Sequence, residues 1–194
     1  MQPAIASTIT GLKPDVILLQ EMISQFVLFL KNKLGKTYNV FVGDKTFPYF
    51  TTVVVSKNIH IEKSSFRSFA NTEMGRGLQI VECSYKGLPV KIVNCHLESL
   101  GQHSEQRKVQ FKELRMTALR AFGDEEPNGI VVGGGDLKIR DNEIHGYPSG
   151  IKDAWTASGM VEQERWTWDS LQNDNKFKDG TVRLRFDRIY LRDH

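Results

Sequence analysis

Carboxylates, a histidine and several cationic side chains stand where runs of apolar residues stop. Gln20-Glu21 follows Val16-Ile17-Leu18-Leu19, which reads as a strand buried on both faces. A carboxylate there is held by the sheet behind it and still faces a cleft, although a merely solvated strand end has the same spelling. Asn94-Cys95-His96-Leu97-Glu98-Ser99 ends a second run. Period-two alternation sends Asn94 and His96 to one side and Val93, Cys95 and Leu97 to the other. Gly134-Gly135-Asp136-Leu137-Lys138-Ile139-Arg140-Asp141 ends a third. The same alternation aims Asp136, Lys138 and Arg140 one way while Leu137 and Ile139 anchor the backbone, and the glycines permit close approach of another group. A carboxylate, an ammonium and a guanidinium on one side suit a phosphate and a cation. Asp187, inside Arg183–Tyr190, needs partners that a neighbouring Arg or a His would supply. A cross-strand salt bridge accounts for it equally well.

The hard oxygen donors Glu21, Asn94, Asp136 and Asp187 favour magnesium, or manganese, over zinc. Tyr49, Arg76, Trp155, Trp166 and Trp168 combine aromatic faces with positive charge, which suits stacking on the bases of a single strand and equally suits an ordinary core. A P-loop, a Gly-x-Ser-x-Gly elbow and a Cys-x-x-Cys pair are absent from the sequence. Gly133–Gly135 is not a dinucleotide fingerprint, because no helix is expected after it.

The elements that must position these groups read as a mixture. The first dozen residues suggest a short helix, and 23–35 a second that stops at Gly35. Strands are expected at 16–19, 38–43, 48–56, 59–64, 78–86, 89–97 and 130–132, with a last one from Val182 to Leu191. Residues 104–122 give the strongest helix pattern, with Ser104 as N-cap and Phe111, Leu114, Ala118 and Ala121 on one face. Hairpin-linked strands with helices between them predict an α+β sandwich, two sheets with helices outside, in preference to a doubly wound parallel sheet.

The chain has 194 residues, a length that one core can serve. With 40% apolar residues and 11 Phe, it is neither disordered nor a coiled coil. Its apolar runs are too short for a membrane span, and no signal-peptide pattern opens it. Two cysteines suit a reducing compartment. A net charge of +3 permits a polyanionic substrate without demanding one.

Taken in order, Leu19-Gln20-Glu21, His96-Leu97-Glu98-Ser99, Gly135-Asp136 with Arg140-Asp141, and Arg185-Phe186-Asp187-Arg188-Ile189 resemble the endonuclease/exonuclease/phosphatase superfamily. Pro14–Glu21, Gly134-Gly135-Asp136, Trp166-Thr167-Trp168-Asp169 and Arg185–Tyr190 are similar to its tyrosyl-DNA phosphodiesterase branch. That resemblance implies a four-layer αββα sandwich. It implies magnesium-dependent hydrolysis of 5′-phosphotyrosyl DNA bonds left by topoisomerase, in DNA repair, in the nucleus, with the cytoplasm as a second setting. The partner would be single-stranded or end-containing DNA with a 5′-tyrosyl adduct. By the same resemblance Glu21 binds metal, Asp136 aligns or deprotonates the attacking water, Asp187 orients a catalytic histidine and His96 contacts the scissile phosphate. Tyr49, Arg76, Arg140 and Trp155 would line the DNA groove.

Three departures accompany it. The chain starts after the family's Asn-bearing first strand. The family's Asp-x-Asn reads Asp136-Leu137-Lys138, and the closing Ser-Asp-His is met by Asp193-His194. Residues 1–194 are therefore expected to form one partial catalytic domain, monomeric and away from membranes. An abasic endonuclease, a deadenylase, an inositol-phosphate phosphatase or a DNA-binding module impaired in turnover are the alternatives.

Overall fold

The computed structural model describes residues 2–119, 129–173 and 181–192. Helices α1 (Gln2–Leu12) and α2 (Ser24–Leu34) lie before and after strand β1 (Val16–Met22) in the chain. That strand pairs with β3 (Phe50–Ser56), which also pairs with β2 (Tyr38–Val42), in a three-stranded antiparallel sheet of order β1-β3-β2. The second sheet is built from β4 (His60–Ser68), β5 (Gly77–Tyr85), β6 (Leu88–Cys95), β7 (Ile130–Asp136), β8 (Ile151–Asp153) and β11 (Asp187–Arg192). Its order is β4-β5-β6-β7-β11-β8, antiparallel throughout except for the parallel pair β6–β7. A small ribbon joins β9 (Trp168–Asp169) to β10 (Arg183–Leu184).

Side-chain alternation turns these sheets into layers. On β3, Val54 faces α1 and α2 with Ile9, Phe26, Val27 and Leu30, while Val53 and Val55 face the other sheet. On β6, Ile92 joins that inter-sheet layer with Val81 and Cys83, while Val93 and Cys95 face Phe111 and Leu114 of the helical layer beyond. Helix α3 (Ser104–Glu113) runs there into a π-helical turn, Leu114–Ala118. The order is therefore helix, sheet, sheet, helix. The four-layer sandwich expected from the sequence is present. Each fully buried Val, Leu or Ile in it contributes on the order of 1.5–3 kcal/mol of transfer free energy.

Two expected elements differ. The helix predicted over 104–122 is α-helical only to Glu113 and then widens, and 120–122 lie outside the described residues. The strand predicted over Val182–Leu191 is two strands in two sheets. It breaks at Arg185-Phe186, where the Arg185 guanidinium turns inward onto Asp153, with Nη1 at 2.9 Å from both carboxylate oxygens. Asp193 and His194 also lie outside the described residues.

Candidate active site

One end of the two sheets gathers the polar residues. Glu21 is the last residue but one of β1, His96 follows β6 and Asp136 ends β7. Asp187 opens β11 directly opposite Asp136. At Glu21 the backbone enters the left-handed region, φ 54°, and the pairing of β1 with β3 shifts between Leu19 and Met22. That irregularity turns an exposed carboxylate out of the strand and over the neighbouring sheet. Asn94, fully buried, holds the sheets together beneath it. Its Nδ2 donates to the carbonyls of Leu19 and Thr52, both at 3.0 Å, and its Oδ1 accepts from Gln20 Nε2 at 2.7 Å. The oxygen expected as a metal donor is thus used by Gln20, and Asn94 serves as a bridge between sheets. Gly135, at φ 131°, lies under this bridge, where a Cβ would strike the Cys95 carbonyl oxygen and crowd Gln20 Nε2.

One ligand atom each from Glu21, His96 and Asp136 lie within 4.8 Å of one another. His96 is 2% exposed. Its Nδ1 is 2.8 Å from Arg76 Nη1, and because a guanidinium only donates, Nδ1 must accept. The neutral ring therefore carries its hydrogen on Nε2, which lies 3.7 Å from Asp136 Oδ2 and has no hydrogen-bond partner among the described residues. Burial first, then the charges of Arg76 and Lys138, pull the ring's pKa down to about 2. His96 is a neutral donor aimed at the place where Glu21 and Asp136 converge. With that hydrogen in place the ring is not a metal ligand, which leaves the pair of carboxylates as the groups that could hold a cation. Two hard oxygens plus water and a substrate phosphate suit magnesium.

Arg76 is itself buried and is delivered by a loop that Glu98 organises. Glu98 Oε1 accepts from Thr72 Oγ1 and from the backbone N–H groups of Glu73 and Met74, and Thr72 Oγ1 accepts from the Arg76 N–H. The Arg76 guanidinium also lies 5.3 Å from the centre of the exposed Tyr49 ring. Thus the Glu of His96-Leu97-Glu98-Ser99 acts through the Arg that fixes the histidine.

Lys138 and Asp136 meet directly. Lys138 Nζ is 2.7 Å from Asp136 Oδ2, and its backbone N–H lies 3.3 Å from Oδ1. Leu137 and Ile139 are fully buried, as alternation requires. Arg140, however, does not follow Asp136 and Lys138. Lys138 has φ 50°, which breaks the alternation, and Arg140 caps a 3₁₀ turn with Glu143, Nη1 lying 3.9 Å from Oε1. Burial works to raise the Glu143 carboxyl, but hydrogen bonds from Arg107, Ser104 and the Arg140 N–H overcome it and hold the pKa at about 2.

Asp187 accepts a hydrogen bond from Thr167, and its pKa is raised, first by the atoms crowded round it and then by the Asp136 charge. The histidine it was expected to orient is not found beside it among the described residues. Trp155, at the start of α4 (Ala154–Ala157), donates from Nε1 to the Val161 carbonyl, and the Arg165 and Arg185 guanidiniums lie 5.7 and 4.7 Å from its ring centre. It belongs to a network in which buried Arg185 and Arg188 share Asp141 and Asp153.

Sequence reasoning passed over two organising residues. Arg107, 1% exposed, bonds Glu143 and the carbonyls of Glu98 and Leu100. Its signal was a charge four and seven residues before Phe111 and Leu114 on the apolar face of α3. Asp153 had no signal, because β8 is too short to show a period.

No protein-family model matches the chain. It is 38% identical over 187 residues to a 5′-tyrosyl-DNA phosphodiesterase of Caenorhabditis elegans, an alignment covering 96% of this chain and 51% of that protein. It superimposes on the crystal structure of truncated Caenorhabditis elegans TDP2 with a TM-score of 0.92 at 36% identity, over 99% of this chain and 76% of that one. Against Danio rerio TDP2 complexed with a single-strand DNA product, the TM-score is 0.92 at 33% identity, over 99% and 76%. The chain spans about half the length of the curated relatives it matches.

Proposed function

Because the chain belongs to the tyrosyl-DNA phosphodiesterase 2 family, of the endonuclease/exonuclease/phosphatase fold, we propose that it is a magnesium-dependent hydrolase of 5′-phosphotyrosyl DNA ends. The observation that carries this reading is the convergence of Glu21, Asp136 and the neutral Nε2 donor of His96 within 4.8 Å at an open sheet edge. The nuclear setting belongs to the same reading, through the DNA substrate.

Glu21 and Asp136 would hold the cation, which when bound neutralises phosphate charge and makes a nearby water more acidic. Asp136 accepts a hydrogen from the attacking water and turns its lone pair toward phosphorus. His96 Nε2–H donates to a non-bridging oxygen as negative charge grows there, from a ring that Arg76 keeps from rotating. The water oxygen bonds to phosphorus as its proton passes to Asp136, and the bond from phosphorus to the tyrosyl oxygen breaks. The leaving phenolate takes a proton from solvent, to which Asp136 returns the one it accepted. The DNA keeps a 5′-phosphate. Tyr49 and the buried Arg76 line one small cleft with His96, where the leaving group or strand would lie, and Trp155 and Arg140 would meet the strand beyond it.

A DNA-binding module with little turnover is the second reading, favoured by the Lys138 ammonium on Asp136. The purified chain is to be incubated with 5′-phosphotyrosyl, abasic and polyadenosine oligonucleotides, with magnesium and with EDTA. Magnesium-dependent cleavage of the first alone is expected. Cleavage of another oligonucleotide, or none, overturns the reading, and binding without cleavage selects the second.

A further inference from the structure

Among the described residues, Asp136, unlike Glu21, already has a cationic side chain on it. The left-handed backbone at Lys138 folds its side chain back, so that both oxygens of Asp136 are engaged by this one residue, Oδ2 by the ammonium and Oδ1 by the backbone N–H. Oδ2 is also the oxygen that faces His96 Nε2. A divalent cation arriving here therefore competes with Lys138 for the same lone pairs. In the same position Nζ also lies 5.2 Å from the centre of the Phe186 ring, an apolar face along which the ammonium can move off the carboxylate. Its side chain is 21% exposed, on a long flexible stem.

Resting on the metal-and-phosphate site proposed above, we infer that Lys138 is a moving counter-ion that couples the two ligands. With neither bound it neutralises Asp136. A divalent cation displaces it, and the released ammonium is then within reach of a non-bridging oxygen of the DNA phosphate. Each ligand thus removes a cost the other would otherwise meet, and linkage makes the effect reciprocal. The cation binds weakly alone and tightly with DNA, so the site loads its metal together with its substrate.

The test reads metal binding and not turnover. Manganese affinity is measured by the loss of the free-ion electron paramagnetic resonance signal, with and without a 5′-phosphorylated single-stranded oligonucleotide. Lys138→Met removes the charge at similar length, and Lys138→Asn removes it with a residue that tolerates the left-handed backbone. Relative to wild type, both are expected to bind manganese at least about tenfold tighter without DNA, a change of roughly 1.4 kcal/mol. In both, the tightening that DNA brings is expected to shrink at least fivefold. Unchanged affinity and unchanged coupling, in variants whose melting curves match wild type, overturn the inference alone. Manganese binding that is absent, or indifferent to Glu21→Gln, overturns the proposed metal site and this inference with it.

Discussion

His96 shows how much of the chemistry one side chain's neighbours decide. Arg76 fixes its tautomer and, with burial, its neutrality, so the ring offers a proton donor and a buried acceptor at once. The two roles separate by substitution. His96→Asn keeps an acceptor near Nδ1 and loses the Nε2 donor, so its cleavage rate is expected to fall about 10²-fold with little change in melting temperature. His96→Ala strands the Arg76 guanidinium and is expected to lose about 2 kcal/mol of stability as well, measured by chemical denaturation. The ring also makes stability pH-dependent. Below about pH 6.5 the unfolded chain takes up a proton that the folded chain, with its pKa near 2, refuses. Stability from this group therefore falls as pH falls, by about 1.5 kcal/mol between pH 6.5 and 5.0. Denaturation at the two pH values should show that difference shrink in His96→Asn. At this scale the sequence was legible where strand alternation holds, as at Asn94 and His96, and illegible past Asp136, where the positive φ of Lys138 sends Arg140 elsewhere.

Among the elements, β7 and the loop 72–76 carry the site. Gly135 lets β7 pass under Gln20 and beside the Cys95 carbonyl. Gly135→Ala is expected to cost about 3 kcal/mol in chemical denaturation, from the disallowed φ and the clash together. Manganese binding should weaken in the same variant, because Glu21 and Asp136 are moved apart. A Gly135→Ala protein as stable as wild type would remove β7 from this account. Glu98 is expected to matter in the same way for the loop. Glu98→Ala releases three donors on Oε1 and should free Arg76, lowering the cleavage rate without touching the reacting groups. The glycine run and the strand-end carboxylates were readable from residue type. The break at Arg185-Phe186 was not, because it is set by the distant Asp153, and the widening of α3 after Glu113 leaves no mark in an apolar pattern.

At the scale of the whole molecule, the sandwich brings residues more than a hundred positions apart to one edge. Glu21 comes from one sheet, His96, Asp136 and Asp187 from the other, and Asn94 ties the two together beneath them. Layering was legible because alternating strands flank apolar helices, whereas the assignment of strands to sheets was not, since the parallel pair β6–β7 is far apart in sequence. The proposed function requires a phosphodiester to be hydrolysed at this edge. Single-turnover cleavage of a 5′-tyrosyl oligonucleotide by wild type and Asp136→Asn, with magnesium in excess, examines it with one substitution. Asp136→Asn is expected to cleave at least about 10³-fold more slowly, with unchanged melting and undiminished binding of the oligonucleotide by fluorescence anisotropy. Cleavage within tenfold of wild type would contradict the account and move the chemistry away from Glu21, His96 and Asp136.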